Sequence, residues 1–324
     1  MSDYAPVFHL TEEIAALGIE IGELLGELSV NPALSADPRL RREARIRSIH
    51  SSLAIEQNTL SLDQVTDVIN GRPVLGPPKD ILEVRNAYEV YDRMASFAPC
   101  SLEDLLTAHG VMMAGLVREA GCFRSGNVGV FSGGQLIHAG TPAAYVPEVM
   151  GQLFSWLRNT SLHPLLKSSV FHYEFEFIHP FADGNGRTGR LWQSLILQKW
   201  KPIFAWLPVE TMVHQRQEAY YQALNAANSQ GESTAFAAFM LTAIRDTIRQ
   251  VIAAPRRHVG ENVGDVSVID ILRRMPKASA GAIAEMTHLS PRQIERVLAR
   301  LKRDGKIIRH GSPKGGHWEV TQKP

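Results

Sequence analysis

The chain is poor in cysteine and in aromatic residues. Cys100 and Cys122 are the only cysteines among 324 residues, and Phe, Trp and Tyr together make up 7%. Two cysteines provide neither a metal-ligand cluster nor a disulfide framework, which suits a reducing compartment. No stretch approaches eighteen uninterrupted apolar residues, so no membrane-spanning helix is predicted. The first residues lack the basic start and apolar run of an export signal. We therefore expect a cytoplasmic protein with no membrane partner.

A strong net charge is also missing, because 34 Lys and Arg residues face 33 Asp and Glu residues, which gives +1. The charge is unevenly distributed, since residues 265–324 hold 12 Lys and Arg against 6 Asp and Glu. Just before them, residues 253–260 read AAPRRHVG, a breaker-rich stretch typical of a linker. The length is sufficient for one large and one small domain, and this change in charge marks the predicted boundary.

One segment of the chain is dense in polar chemistry. Residues 179–190 read HPFADGNGRTGR, and they lie between two stretches with apolar residues at helical spacing. The segment is therefore predicted to be a tight loop whose glycines open a helix. Glycines let a backbone approach a ligand closely, and the unpaired N–H groups at a helix start bind anions. The pattern predicts a phosphate site.

The charged side chains of this segment agree with a phosphate site. Arg187 and Arg190 lie three positions apart, hence roughly on one helical face, and each offers a planar fork of donors to phosphate oxygens. Asp183 is an oxygen ligand of the kind that Mg²⁺ shares with phosphates. His179 can accept a proton near neutral pH. A polar turn with a capping Asp and a buried His would explain any one of these residues, but not the whole set in this order.

Residues 179–190 resemble the signature of the Fic family, HPFx(D/E)GNGRxxR, at every specified position. Most Fic proteins are enzymes that transfer AMP from ATP to a protein hydroxyl and release pyrophosphate. The resemblance implies that His179 is the general base for a Ser, Thr or Tyr hydroxyl and that Asp183 holds Mg²⁺ between the α- and β-phosphates. It also implies a nucleotide-binding set, which comprises Gly184, Asn185, Gly186, Arg187, Thr188, Gly189 and Arg190.

Individual roles within this set also follow from the resemblance. The backbone of residues 184–186, with Asn185, would form the anion hole, while Arg187 neutralises the β-phosphate and Arg190 the γ-phosphate. Phe181 would be an apolar plug that orients the loop. Such roles suit nucleotidyl transfer, which depends on positioning and charge neutralisation. Relatives differ in which part of the donor they transfer, so another phosphate-containing group stays an alternative.

A second motif lies near the N-terminus. Residues 51–58 read SSLAIEQN and resemble the inhibitory motif of the same family, (S/T)xxxE(G/N), with Ser52 and Glu56 at the fixed positions. Because this motif precedes the catalytic one, the chain resembles the class with an N-terminal inhibitory helix. Glu56 is implied to pair with Arg190 and so to deprive the γ-phosphate of its partner. The same glutamate could align a water molecule for removing AMP from a modified target.

The inhibitory motif departs from the family pattern at one position. Gln57 stands where relatives have Gly or Asn, and we expect Asn58 to end the helix instead, so that the role of Glu56 is retained. The alternative is a solvent-facing glutamate on an amphipathic helix.

Residues 122–138 are rich in turn formers and alternate apolar with polar side chains, which predicts a β-hairpin. Fic proteins carry a hairpin flap at this place, and it binds the target segment by strand addition, through main-chain hydrogen bonds. The resemblance assigns four residues to the flap over the nucleotide: Val130, Phe131, Ser132 and Gly133.

Residues 220–228 resemble a helix that lines the adenine pocket in relatives. Tyr221 and Asn228 are seven positions apart, which is two helical turns, so they share a face. An aromatic wall and an amide could together bind adenine. A tyrosine packed in a helical core, with its hydroxyl in water, is an equally good explanation of Tyr221.

The basic C-terminal segment resembles a winged helix-turn-helix. Three short helical patterns precede a candidate hairpin at 305–320, and they cover residues 266–274, 279–286 and 291–303. The third has Ser290 as an N-cap and Pro291 at its first position. It carries Arg292, Arg296, Arg300 and Arg303. In a winged helix this helix would enter a major groove, and the arginines would contact phosphates. Winged helices also serve as dimerisation or protein-docking modules.

We therefore predict a mainly α protein, with a Fic-type helical domain that has a small β-hairpin flap, plus a small C-terminal winged-helix domain. Residues 1–100 are assigned to an N-terminal helical region that carries the inhibitory helix, and residues 101–254 to the Fic catalytic domain. Residues 255–264 are assigned to a linker, and residues 265–324 to the winged helix-turn-helix domain.

Two functions of different classes fit the sequence. The first is a protein adenylyltransferase that is autoinhibited by Glu56 against Arg190, uses ATP and Mg²⁺, and modifies another protein or itself. The second is a DNA-binding transcriptional regulator, acting through residues 265–324, whose Fic domain senses nucleotide. The complete catalytic motif favours the enzyme, because a sensor has no need of both His179 and Asp183. The acceptor residue and the oligomeric state, a homodimer included, stay open.

Overall fold

The computed structural model describes residues 4–29, 38–132, 135–253, 263–287, 290–311 and 316–321. The chain divides into two compact units, Met1–Ala253 and Ala254–Pro324. Both units are mainly helical, and each contains one two-stranded antiparallel sheet, which confirms the predicted mainly α class with a small hairpin. Among the residues given above, no helix is both long enough and apolar enough to cross a membrane.

The first unit is built from eleven α-helices and one hairpin in its described part. The helices are α1 (Glu12–Ser29), α2 (Pro38–Ile55), α3 (Leu62–Ile69), α4 (Pro78–Arg93), α5 (Leu102–Met112), α6 (Val146–Asn159), α7 (Pro164–Ile178), α8 (Asn185–Trp200), α9 (Val209–Gln215), α10 (Gln217–Gln230) and α11 (Thr234–Ala253). The hairpin strands, β1 (Gly129–Ser132) and β2 (Gln135–Ala139), lie between α5 and α6.

Helices α7 and α8 form the centre of this unit and pack against each other. Pro164 occupies the first position of α7, where its missing N–H is not needed. The apolar residues of α7 face two separate cores. Phe171 and Phe175 join a core with α2, α4, α5 and α6, while Tyr173 joins a second core with α1, α10 and α11. The loop between α7 and α8 is therefore carried by the two best-packed helices.

Helix α2 ends in a backbone motif that fixes the position of the residues after it. The N–H of Asn58 donates to the carbonyl of Leu53 at 3.1 Å, and the N–H of Gln57 donates to that of Ala54 at 3.0 Å. This pair of bonds places Gln57 in the left-handed region, with φ of 66°. The expectation that Asn58 ends the helix is therefore wrong. The side chain of Asn58 instead donates to Glu83 of α4 at 2.8 Å.

The structure divides a helix that the sequence pattern predicts as continuous over residues 208–228. The chain interrupts it at Arg216, with φ of −119° and ψ of 36°, and so separates α9 from α10. The guanidinium of Arg216 lies 2.6 Å from the carboxylate of Asp246 in α11. This ion pair joins residues thirty positions apart, and the local pattern of helix formers carries no sign of it.

The hairpin in the first unit lies where residues 122–138 predict it. Its strands are antiparallel, with Val130 opposite His138 and Ser132 opposite Gln135, and the register shifts between Val130 and Phe131. Gly133, the fourth residue assigned to the flap, lies outside the described residues.

The second unit has the element order of its prediction. Helices α12 (Val263–Arg274), α13 (Ala280–Thr287) and α14 (Pro291–Arg303) precede strands β3 (Ile307–His310) and β4 (His317–Val320), which pair antiparallel. They enclose a separate core, which includes Leu272, Ile283, Ile294, Leu301 and Trp318. Helix α14 begins at Pro291 as expected. The assignment to the winged-helix fold stays a prediction.

Candidate active site

The loop between α7 and α8 begins and ends with a left-handed residue. His179 caps α7 with φ of 54° and ψ of 61°, and Gly184 caps α8 with φ of 84°. A methyl group on Gly184 would lie 2.6 Å from the sulfur of Met113, so glycine is required there by conformation and by space. The predicted tight loop between two helices is present.

Phe181 and Asn185 hold the loop in its shape through hydrogen bonds within the loop and through packing. The amide of Asn185 accepts from the N–H of Phe181 and donates to its carbonyl, both at 2.9 Å. The ring of Phe181 is fully buried and stacks on His109, with ring centroids 3.6 Å apart and planes 4° apart. Phe181 thus fills the place of the predicted apolar plug. Because both ends of the Asn185 amide are engaged within the loop, a ligand would meet its backbone N–H rather than its side chain.

The N-terminus of α8 offers a site for an anion. Gly184 is the N-cap of α8, and no described side chain caps this end of the helix. The first N–H groups of a helix, here those of residues 185–187, have no partner inside the helix. The positive end of the helix dipole adds to their attraction for negative charge. The carboxylate of Glu56, in the turn that follows α2, lies so close to Gly186 that a methyl group there would collide with it. A carboxylate therefore lies at the place where an anionic ligand would bind.

Glu56 also pairs with Arg190, as the inhibitory motif implies. Nη2 of Arg190 lies 2.7 Å from Oε1 of Glu56 and donates to the carbonyl of Ser52 at 3.0 Å, while Nε donates to the hydroxyl of Ser52 at 3.1 Å. The guanidinium is almost fully buried, and burial opposes its charge. The nearby carboxylate of Glu56 outweighs this effect and raises the pKa of Arg190 above its ordinary value. The alternative of a solvent-facing Glu56 is excluded by this geometry.

Arg187 is held by two carboxylates rather than one. Its Nη2 lies 3.0 Å from Oδ1 of Asp183, and its Nη1 lies 3.1 Å from Oε1 of Glu83, which is itself buried. Nε of Arg187 is buried and has no hydrogen-bond partner among the residues that the structure describes. Sequence reasoning missed Glu83, since this residue belongs to an ordinary amphipathic helix with no motif around it.

His179 is oriented as a proton acceptor. Its Nδ1 lies 3.3 Å from the carbonyl oxygen of Glu176. A carbonyl can only accept, so this contact places the proton on Nδ1 and leaves the lone pair of Nε2 available. Burial opposes the charge of Glu176, but His172, His179 and Arg190 outweigh burial and lower its pKa. A negative carboxylate beside His179 would stabilise the imidazolium that forms when His179 takes a proton.

The remaining predicted site residues occupy different environments. Thr188 and Gly189 are buried, and a methyl group on Gly189 would lie 3.0 Å from the ring of His172, so Gly189 permits close packing of α8 on α7. Tyr221 is exposed over 42% of its surface, and its pKa is raised by partial burial and by the charge of Glu56. Asn228 is half-buried near the end of α10. An adenine-binding role for Tyr221 and Asn228 stays a prediction.

His109 in α5 is a second site residue that sequence reasoning missed. Its Nδ1 accepts from the N–H of Gly121 at 3.0 Å, so its Nε2 carries the proton and donates to the carbonyl of Asp183, also at 3.0 Å. Burial lowers the pKa of His109 to about 4. A neutral imidazole thus holds the backbone of Asp183 and supports the ring of Phe181.

The carboxylate of Asp183 fits a shared magnesium ion. Its Oδ1 accepts from the N–H of Gly184 and from Arg187, while half of the side chain is exposed. The described part of the chain contains no group of three or more His, Cys, Asp or Glu side chains that could hold a metal ion. One protein carboxylate is nevertheless what Mg²⁺ commonly uses when phosphates supply the other ligands.

The chain is similar to known proteins in sequence and in fold. Residues 99–197 match the model of the Fic/DOC family. A solved structure of a Fic family protein from Desulfovibrio desulfuricans G20 is 45% identical, covers 99% of both chains and has a TM-score of 0.81. The chain belongs to the Fic family.

Curated relatives of this Fic protein include protein adenylyltransferase fic-1 of Caenorhabditis briggsae, which is 31% identical over 240 residues. That match covers 68% of this chain and 44% of the relative, so the chain spans less than half the length of the curated protein. Protein adenylyltransferase Fic of Drosophila virilis is 29% identical, with 68% and 45% covered. The structure of residues 134–508 of Fic-1 from C. elegans, 24% identical with a TM-score of 0.60, covers 75% of this chain and 72% of its own and supports the fold.

Glu83→Gln tests the carboxylate pair on Arg187. The substitution replaces one charged acceptor of a buried guanidinium, so the free energy of unfolding of this Fic protein should fall by about 2 kcal/mol. Glu89→Gln is a matched control on the same helix, because Glu89 is exposed and pairs with Arg93 at 3.3 Å. That change should cost less than about 0.5 kcal/mol. Equal losses for the two variants in urea denaturation would contradict the structural role of Glu83.

The lowered pKa of His109 predicts a pH dependence of stability. Between pH 6.5 and about 4 the unfolded chain binds a proton at this residue and the folded chain does not, so the free energy of unfolding falls as the pH decreases through this window. Urea denaturation at pH 7 and pH 4.5 should show that His109→Gln loses about 2 to 3 kcal/mol less than the wild type does. His9→Gln, at an exposed histidine, is the control. An equal loss for His109→Gln and wild type would refute the assignment.

Proposed function

We propose that this Fic protein transfers AMP from ATP to a Ser, Thr or Tyr hydroxyl of a protein substrate. One observation supports this proposal best. A single short loop connects His179, whose Nε2 is free to accept a proton, to the N-terminus of α8, where an anion would bind. The names of the curated relatives point to the same reaction.

The transfer is a displacement at the α-phosphorus of ATP. The hydroxyl oxygen of the target forms a bond to this phosphorus, the bond from the α-phosphorus to the bridging oxygen of the β-phosphate breaks, and pyrophosphate leaves. The proton of the hydroxyl passes to Nε2 of His179, and Glu176 stabilises the resulting positive charge. The N–H groups of residues 185–187, with Arg187 and Arg190, hold the phosphates. Mg²⁺ bound at Asp183 would neutralise part of their charge.

Glu56 restrains this activity in the proposed mechanism. Its carboxylate competes with the γ-phosphate for Arg190 and occupies the space beside Gly186. ATP can then bind only in a pose that leaves its α-phosphorus poorly aligned for attack. The same carboxylate, when AMP is already attached to a target, could orient a water molecule and accept its proton, so that the chain removes AMP as well.

Replacing Glu56 should release the transferase. Incubation with α-labelled ATP and Mg²⁺ should label the protein itself or a partner in a lysate, and Glu56→Ala should raise the rate by about tenfold or more, because one charged hydrogen bond no longer competes with the nucleotide. Glu43→Ala is the matched control on α2, since Glu43 pairs only with Arg47 on the surface. The absence of label with both the wild type and Glu56→Ala would overturn the proposed activity. An unchanged rate in Glu56→Ala would contradict only the proposed restraint by Glu56 and would leave the proposed activity standing.

His179→Ala, introduced into the Glu56→Ala protein, should lower the rate of transfer by about 100-fold or more, as expected for loss of a general base. Its affinity for ATP should stay within about twofold, because the backbone donors of α8 are unchanged. Isothermal titration with ATP separates the two effects. Loss of ATP binding together with activity would assign a structural role to His179 instead.

A second function, binding to duplex DNA, is favoured by the surface of the C-terminal unit. Arg292 and Arg296 are exposed on α14, and residues 265–324 have twice as many basic as acidic residues. Basic side chains along one helix suit contacts with successive phosphates. This function is compatible with the transferase, because it uses a different unit of the chain.

The DNA proposal predicts a salt-dependent affinity of the full chain for a random duplex. Replacing both Arg292 and Arg296 by Ala should reduce the slope of log K against log salt by about 2, because one phosphate contact is lost with each residue. Arg47→Ala with Arg93→Ala, two exposed arginines of the first unit, is the matched control. Fluorescence anisotropy of a labelled duplex measures the slope. Binding that is absent or independent of salt would refute DNA recognition.

A further inference from the structure

A third buried arginine, Arg124, lies beside the catalytic loop. It is 3% exposed, and it lies two residues before Gly126, in the segment that leads into the hairpin. The family signature and the inhibitory motif do not include it, and the sequence analysis assigns it no role. Its environment differs from that of Arg187 and Arg190, because its recorded partners are backbone carbonyls rather than carboxylates.

The guanidinium of Arg124 joins three stretches of backbone. Nε donates to the carbonyl of His179 at 2.7 Å, and Nη1 donates to that of Gly126 at 2.8 Å. Nη2 donates to the carbonyl of Thr141 and, at 3.4 Å, to that of Ile178. One planar group thus ties the start of the hairpin segment, its end and the end of α7.

Two further contacts tighten this junction. The backbone N–H of Arg124 donates to the carbonyl of Pro180 at 3.0 Å, and the N–H of Thr141 donates to that of Ile178 at 3.2 Å. A methyl group on Gly140 would lie 3.1 Å from Nη2 of Arg124 and 3.3 Å from Cβ of His179. The base of the hairpin, at Gly140, therefore packs directly against His179.

His179 needs such support because its backbone is in a costly conformation. A non-glycine residue in the left-handed region is less stable by about 1–2 kcal/mol, and its carbonyl no longer follows the helix. The Nε–H of Arg124 donates to that carbonyl at 2.7 Å. Burial without a carboxylate lowers the pKa of Arg124, so the group is held there at some cost to stability. A group of this kind suits a role in positioning rather than in binding a ligand.

We propose that Arg124 is a positioning residue, which holds His179 in the left-handed conformation and thereby couples the base of the hairpin to the orientation of the imidazole. This inference rests on the proposed transferase function for its effect on rate, but its effect on the imidazole is independent of any activity. Lysine cannot replace Arg124. The guanidinium donates to these carbonyls from three nitrogens spread over a plane, whereas lysine has a single nitrogen at the end of its side chain.

The first test uses nuclear magnetic resonance of the full chain and requires no substrate. In the wild type, ¹⁵N shifts should show the proton of His179 on Nδ1, and the Nε–H of Arg124 should exchange with water about 100-fold or more slowly than that of the exposed Arg93. In Arg124→Lys and Arg124→Gln, the proton of His179 should move to the mixture of tautomers found in free histidine. Fast exchange of Arg124 in the wild type, or an unaltered tautomer in a folded variant, would overturn the proposal.

The second test measures rates in the Glu56→Ala protein. Adding Arg124→Lys should lower kcat by about 10-fold to 100-fold through misplacement of the base, while KM for ATP stays within about twofold, since the carbonyls that Arg124 binds belong to the hairpin segment and to the end of α7. Arg158→Lys is the matched control, because Arg158 also donates to a backbone carbonyl, that of Cys100 at 3.2 Å. A rise in KM for ATP with kcat unchanged, or equal losses in the control, would refute the positioning role. No activity in Glu56→Ala itself would instead count against the transferase, and the resonance experiment would then decide the role of Arg124.

Discussion

The buried guanidinium of Arg190 is the constraint on which the arrangement of the first unit depends. A cation removed from water destabilises a fold unless charged or polar partners surround it. Ser52 of α2 and Glu56 of the turn after it supply these partners, so the end of α2 lies against α8 for electrostatic reasons as well as apolar ones. Any phosphate that approaches Arg190 has to displace a partner of the same sign. The proposed competition between the carboxylate of Glu56 and a nucleotide therefore rests on the burial of one arginine.

Three arginines around the loop are satisfied in three ways. Arg190 has the carboxylate of Glu56 from the turn after α2, Arg187 has two carboxylates, and Arg124 has backbone carbonyls. Carboxylates and phosphates carry the same sign of charge, so a phosphate can take the place of a carboxylate on Arg187 or Arg190 with little change in local charge. Backbone carbonyls belong to the chain itself and cannot be exchanged. The first two arginines are therefore suited to a ligand, and Arg124 is suited to a permanent structure.

The central loop and the pair of Glu56 with Arg190 could be predicted from the sequence, because each depends on a short contiguous motif. Glycine at the start of α8, the apolar Phe181 and the four-residue spacing of Ser52 and Glu56 are local signals. Glu83, His109 and Arg124 were missed for a common reason. Each acts through partners 55 to 104 positions away and has no spacing pattern of its own. Their importance becomes visible only when burial removes water as the competing partner.

Errors in the predicted elements have the same origin. The helix expected over residues 208–228 is broken where Arg216 meets Asp246, and helix formers on both sides give no sign of it. Asn58 was expected to end α2 in place of Gln57, because glutamine rarely takes a positive φ. The backbone bonds that end α2 impose the left-handed conformation all the same, and local preference is overridden.

Gln57 has a consequence for how strongly Glu56 is held. Glycine would occupy the left-handed position without the cost of about 1 kcal/mol or more that a side chain incurs, and that difference corresponds to about fivefold in an equilibrium constant. The end of α2 is thus less stable with glutamine at position 57 than it would be with glycine there. In the proposed mechanism, this single backbone position would set how firmly Glu56 is held against Arg190. A change there would leave the residues of the loop between α7 and α8 as they are, so evolution or a protein engineer could adjust the proposed restraint without altering the proposed chemistry.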